Sequence, residues 1–167
     1  MPNDPINQQI WNEIKTRLTD ATAGGELLEY VNTTSVYEGI RDTIPSGAFP
    51  AVIMEPDGED EIKHTAPQRL LITYRYQVTC VIEHIDQDKQ IIGDGTTRGI
   101  ADIVADVKNV ILGDTDGSEK LGLATIVGKG GVLRTSFPAT QYFVDNYPMR
   151  EAVITVEVEA QVIKNKR

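Results

Sequence analysis

Two stretches of this chain alternate apolar and polar residues almost without error, and both are long. From Arg69 to Ile85, one face carries Leu70, Ile72, Tyr74, Tyr76, Val78, Cys80 and Ile82. Thr73, Arg75, Gln77, Thr79 and Glu83 lie on the other. From Ala152 to Ile163, one face carries Ala152, Ile154, Val156, Val158, Ala160 and Val162, opposed by Thr155, Glu157, Glu159 and Gln161. A period of two means a strand with one buried face and one wet or partner-facing face. Ordinary strands run about 5–6 residues. A strand of roughly 16 residues, at about 3.3 Å each, reaches about 50 Å. That exceeds what the core of one small domain needs, so the surplus must bend or project and meet something else. The pattern predicts an assembly subunit rather than an enzyme.

The remaining elements follow from shorter signals. Asp4-Pro5 predicts a helix start, with Asp4 as cap and Pro5 in the first turn. Ile6, Ile10, Ile14 and Leu18 then recur every four residues beside Trp11, and Ala23-Gly24-Gly25 closes the helix. Short strands are expected over Ser35–Ile40 and Ala51–Glu55. Glu55, Asp57, Glu59, Asp60 and Glu61 place five acids in seven residues, interrupted by Pro56 and Gly58, which predicts a solvated loop. Gly93-Asp94-Gly95-Thr96-Thr97 leads into a second helix with Thr96 or Thr97 as cap. Its stripe is Ile100, Ile103, Val104, Val107 and Ile111, and Gly113 ends it. The glycine-rich stretch from Asp114 to Gly131 is a long loop or a loose hairpin. Leu133 to Val144 returns to the sheet with a break at Pro138, and Asn146-Tyr147-Pro148 turns into the last strand. The simplest arrangement is one α+β domain spanning residues 1–167: a mostly antiparallel twisted sheet with long strands and both helices on one face.

Composition narrows the function classes. A chain of 167 residues with 40% apolar and 25% charged residues can bury a core as one domain. The segment MPNDPINQQ has no basic stretch followed by an apolar one, so no secretory signal is expected there. No apolar run approaches a membrane span. The single cysteine, Cys80, allows no internal disulfide, sits on the apolar strand face, and suits a reducing cytoplasm. With net charge −9, the chain lacks the cationic face of a free-standing nucleic-acid binder. Only Lys164-Asn165-Lys166-Arg167 is locally basic, and it reads as a solvated end.

Catalytic and ligand motifs do not form. His84 and Cys80 are four apart on a strand, about 13 Å by strand rise, too far to share a metal. His64, the second of two histidines, lies in the acidic run. Gly93 to Gly99 has neither the Gly-Lys of a phosphate loop nor the third glycine of a dinucleotide fingerprint, because Arg98 stands there. Asp114-Thr115-Asp116-Gly117 lacks the third acid before the glycine and the later bidentate Glu of a calcium loop. No serine lies in a Gly-x-Ser-x-Gly elbow. No catalytic residue, metal or cofactor is expected.

The order of elements resembles the tail terminator (tail-completion) proteins of tailed bacteriophages. The resemblance runs from the leading amphipathic helix through Ile44-Pro45-Ser46-Gly47-Ala48-Phe49-Pro50-Ala51-Val52 into the long alternating strand. It continues through the second helix to Tyr142-Phe143-Val144-Asp145-Asn146-Tyr147-Pro148 before the last strand. It implies a virion protein made in the host cytoplasm that forms a homo-oligomeric ring, typically a hexamer. Such a ring caps the head-proximal end of the tail tube, stops its growth, and meets neck or connector proteins. Genome DNA passes through without tight binding, which an acidic subunit suits. The candidate contact residues come from the residue reading and not from the family. They are Glu55, Asp57, Glu59, Asp60 and Glu61; Asp116, Lys120 and Lys129; and Arg134, Arg75 and Glu157. The loops Glu55–Thr65 and Asp114–Gly131 are expected to make end or side contacts. Two other readings remain: a neck or head–tail connector subunit, and a small-molecule-binding or enzymatic α+β domain.

Overall fold

The computed structural model describes residues 5–39, 43–45, 47–83, 91–93, 98–113, 118–126, 129–143 and 148–163, with the backbone alone over 60–65 and at 118. Helix α1 spans Ile6–Asp20 and α2 spans Ile100–Leu112. The strands are β1 (Val36–Glu38), β2 (Ala51–Ala66), β3 (Arg69–Glu83), β4 (Gly130–Phe143) and β5 (Met149–Ile163). They form one sheet in the order β1-β2-β3-β5-β4. Only β1 and β2 run parallel; the other neighbours are antiparallel.

The alternating stretches pair with each other. β3 and β5 are in unbroken register from Arg69↔Ile163 to Glu83↔Met149. A period-two pattern fixes this register, because a slip by one would turn every apolar side chain to water. Val78, Cys80, Ala152, Ile154, Val156, Val158 and Ala160 are fully buried on the covered face. Both helices pack there: Ile6, Ile10, Ile14 and Leu18 of α1 and Ile100, Ile103, Val107 and Ile111 of α2 join these strand residues in one core. Each such Ile or Leu contributes roughly 1.5–3 kcal/mol. A smaller cluster of Tyr37, Ala51, Ile53 and Val81 lies on the opposite sheet face, with Ile44 and Phe49 against it.

The helix ends differ from expectation. Pro5 is the cap of α1, with ψ 155, and its carbonyl accepts from the Gln9 N–H at 3.1 Å. Its extended ψ places it before the first turn, while Asp4 lies outside the described residues. Gly99, not Thr96 or Thr97, caps α2, and those threonines lie outside the described residues. Asp102 in the first turn serves the end instead: its Oδ2 accepts from the Gly99 and Gly93 N–H groups, each at 3.0 Å. At the far end Gly113 adopts φ 71, and its N–H bonds to the Asn109 carbonyl at 2.7 Å. Arg17 of α1 donates to the Ile111 carbonyl at 2.8 Å, placing a cation at the α2 C-terminus.

The acidic run is the largest departure. Its backbone is strand β2, not a loop, and His64 lies within it. Register shifts at Pro56/Gly58, Asp60/Lys63 and His64/Ala66 absorb residues that a regular strand would reject. Beyond Met54 no named strand pairs with the outer side of β2, since β1 covers only Val52–Met54. Proline and like charges are tolerated on such an edge.

Candidate assembly surface

The sheet face opposite the helices carries polar side chains over the middle of β3 and β5. Directly opposed residues of an antiparallel pair place their side chains together. Arg75 faces Glu157 by register, and its Nε bonds to the carboxylate at 3.1 Å. One rung away, Arg134 of β4 faces Glu159, with Nη2 to Oε1 at 3.1 Å. Arg69 donates to Gln161 at 3.3 Å. Thr73, Gln77, Thr79 and Thr155 fill the same face and are half-buried. The two Arg–Glu pairs neutralise each other locally and leave hydroxyl and amide groups between them.

On the covered face α1 begins beside the end of β5, where Pro5 and Ile6 approach Val162 and Ile163. An open groove of about 320 Å³ remains there, lined by Pro5, Ile6, Glu59, Tyr74, Lys129 and Val162 among others. A second hollow of about 240 Å³ follows α1 along Asn7, Gln8, Trp11, Pro56 and Tyr76. Trp11 is the core-edge residue that its sequence position predicts. It packs on Tyr76 with ring centroids 5.9 Å apart, and its indole N–H donates to Glu38 at 3.0 Å. Burial, and secondarily Glu59, pushes the Tyr74 phenol up to about 12. Burial raises Tyr76 as well. These phenols stay protonated near neutrality and offer no base. The Cys80 thiol, wholly buried, is also pushed up to about 12, which leaves it a packing residue.

The sequence-chosen contact residues separate into groups. Arg75, Glu157 and Arg134 share the polar sheet face. Asp57 and Glu59 are exposed on β2, with Glu55 half-buried before them. For Asp60 and Glu61 only the backbone is described, and Asp116 lies outside the described residues, as does His84. Lys129 borders the groove, where its carbonyl accepts from the Ile163 N–H at 2.8 Å. Lys120 closes a short 3-10 turn, Ser118–Lys120, and is half-buried.

The glycine-rich stretch is not a free loop where it is described. Leu121 is fully buried, Leu123 and Ile126 pack against the core, and Leu123 accepts from the Val132 N–H at 2.8 Å. The period of its apolar residues is too irregular for either template, so the sequence hides this.

Sequence reasoning also missed a polar anchor. The Tyr30 hydroxyl donates to Asp106 Oδ2 at 2.8 Å, Arg98 lies 3.7 Å from the same oxygen, and its guanidinium sits 5.3 Å from the Tyr30 ring centre. Burial, then the Asp106 bond, raises the Tyr30 phenol. The signal was present: Asp106 sits beside the apolar stripe of α2, a place where a carboxylate needs partners. The anchor ties the segment after α1 to α2. Its three groups satisfy one another, so it acts as a brace.

Among the described residues, no three His, Cys, Asp or Glu side chains gather as metal ligands would, and no helix is long and apolar enough to cross a membrane. No protein-family model matches the sequence, and no curated protein matches it. A solved structure does: a chain in the virion of a native gene transfer agent (GTA) particle. It superposes with a TM-score of 0.54 at 14% identity, over 89% of this chain and 91% of that one. At this identity the likeness is one of fold, and it extends nearly end to end.

Proposed function

We propose that this chain is a structural protein of a virion, and more narrowly a ring-forming tail terminator. In this reading it caps the head-proximal end of a phage tail tube, halts tube growth and joins the tail to the neck. The observation that carries the reading is the fold shared, over nine-tenths of both chains, with a chain of a virion particle. The architecture supports it: four strands of 14 to 16 residues build a sheet much longer than its core requires. The order of elements supports the narrower role through its resemblance to tail terminators. Net charge −9 suits a passage through which DNA slides without being held.

The test mixes the protein with assembling tail-tube protein and measures tube lengths. A terminator shortens and narrows the length distribution. If tubes reach the same lengths with and without it, the terminator role is lost, and a neck-connector role with the same fold moves ahead.

A further inference from the structure

The two outer edges of the sheet differ in chemistry in a way that one subunit alone does not use. On one side β2 runs past its short partner, and from Glu55 to Glu61 it carries five acids and no base. Asp57 and Glu59 are exposed there. On the other side the segment ending at Ile126 covers β4 at Gly130–Val132, and from Leu133 to Phe143 no described strand lies beyond it. Between Gly130 and Phe143 there is no acid and a single base, Arg134. Leu133, Tyr142 and Phe143 of this strand are three of the six large apolar side chains exposed among the described residues. Edge strands of proteins that stay apart are normally guarded by charge or kept short. β2 is guarded by its acids, whereas β4 carries no acid and is interrupted by Pro138 and two bulges.

We infer that the β4 edge of one copy receives the acidic β2 edge of the next copy, so that subunits join head to tail. This deepens the ring reading and rests on it. Two β2 edges cannot pair with each other, because five acids would face five acids. The β4 edge carries no acid and exposes Leu133, Tyr142 and Phe143, so an incoming β2 edge meets no like charge there, and Arg134 on it is already paired with Glu159. A contact between two different patches is heterologous, and such contacts close into rings or run on as filaments. The bulges of β2 at Pro56/Gly58 and of β4 at Val132/Arg134 and Ser136/Ala139 divide both edges into short straight runs. Pairing is therefore confined to a few residues, with charge and the exposed apolar side chains setting the partner. A joint of that size forms on the tube end, where neighbours are held together, more readily than in dilute solution.

A charge exchange tests this. One variant combines Glu55→Lys, Asp57→Lys and Glu59→Lys; the other combines Leu133→Glu and Ala139→Glu, both at exposed positions. Each alone should lose the capping of growing tubes, because its own two edges now match in sign or lose their contact. An equal mixture should cap again, since each variant complements the other in an alternating ring, and this rescue also shows that both fold. If either variant alone caps as the parent does, or the mixture stays inactive while both melt as the parent does, edge pairing is overturned and the ring reading stands. If the parent itself fails to cap, the terminator reading falls on its own. Edge pairing is then read from amide exchange of the concentrated protein. Slowed exchange in both Glu55–Asp60 and Arg134–Phe143 upholds it, and unchanged exchange overturns it.

Discussion

At the scale of single residues, the cross-strand pair of Arg75 and Glu157 is a sheet contact of modest worth. The side chains are about one-third exposed, and solvent screens them. A double-mutant cycle through Arg75→Ala and Glu157→Ala should return a coupling of about 0.2–1 kcal/mol that shrinks in salt. A coupling well above that range would show that the pair is more shielded than its exposure allows. The buried phenols and thiol give a sharper signature. Tyr30, Tyr74, Tyr76 and Cys80 all hold their protons more tightly in the folded chain, chiefly because burial disfavours the charged form. In the unfolded chain they titrate near about 8.5 for the thiol and about 10 for the phenols. Their contribution is intact below those values and is lost as pH climbs toward the raised folded values, because the unfolded chain then binds fewer protons. Melting temperature should therefore fall steeply above about pH 9.5. Tyr76→Phe should flatten that fall relative to the parent. Identical slopes would remove Tyr76 from the account.

At the scale of elements, the helices and the β4 strand are each held by identifiable contacts. Ile103 is fully buried in α2 against the sheet. Ile103→Asp places a carboxylate there without a partner and should remove most of a stability of about 5–15 kcal/mol. A variant that melts like the parent would contradict the packing of α2. Leu121→Ala should cost about 2–5 kcal/mol, because its side chain is fully buried within a stretch that reads as loop. Gly130 has φ +114, and a Cβ there would strike the Gln161 carbonyl oxygen, so Gly130→Ala should also lower the melting temperature. Strands β3 and β5 and both helix stripes were legible because burial on one face imposes a period, and Val78 or Ile14 falls where that period puts it. β2 was not legible past Glu55. An edge strand with no apolar face beyond Met54 has no period to read, and Pro56, Gly58 and the acids carry the same letters as a loop. The Leu121–Ile126 turn was hidden for a related reason: its side chains enter the core from irregular backbone. The surface stayed least legible, since Arg75 with Glu157 becomes a pair only once β3 and β5 are in register.

At the scale of the whole molecule, helices cover one face of the sheet, the other is polar over its middle, and past Met54 of β2 and past Val132 of β4 no described strand pairs with the outer edge. Those open runs of edge are the ones that the proposed contact between copies uses. The charge distribution argues the same way for DNA: with 25 acids against 16 bases, free duplex DNA should not bind with sub-micromolar affinity near physiological salt. A fluorescence titration that finds such affinity would require a cationic surface built across copies. The central claim is that the chain finishes a tail tube as a ring at one end. The most direct measurement is electron microscopy of tubes grown with the gold-labelled protein. The account predicts label as a single ring at one end of each tube, with growth arrested there. Label spread along the tube walls, or tubes with bare ends and unaltered lengths, would contradict it.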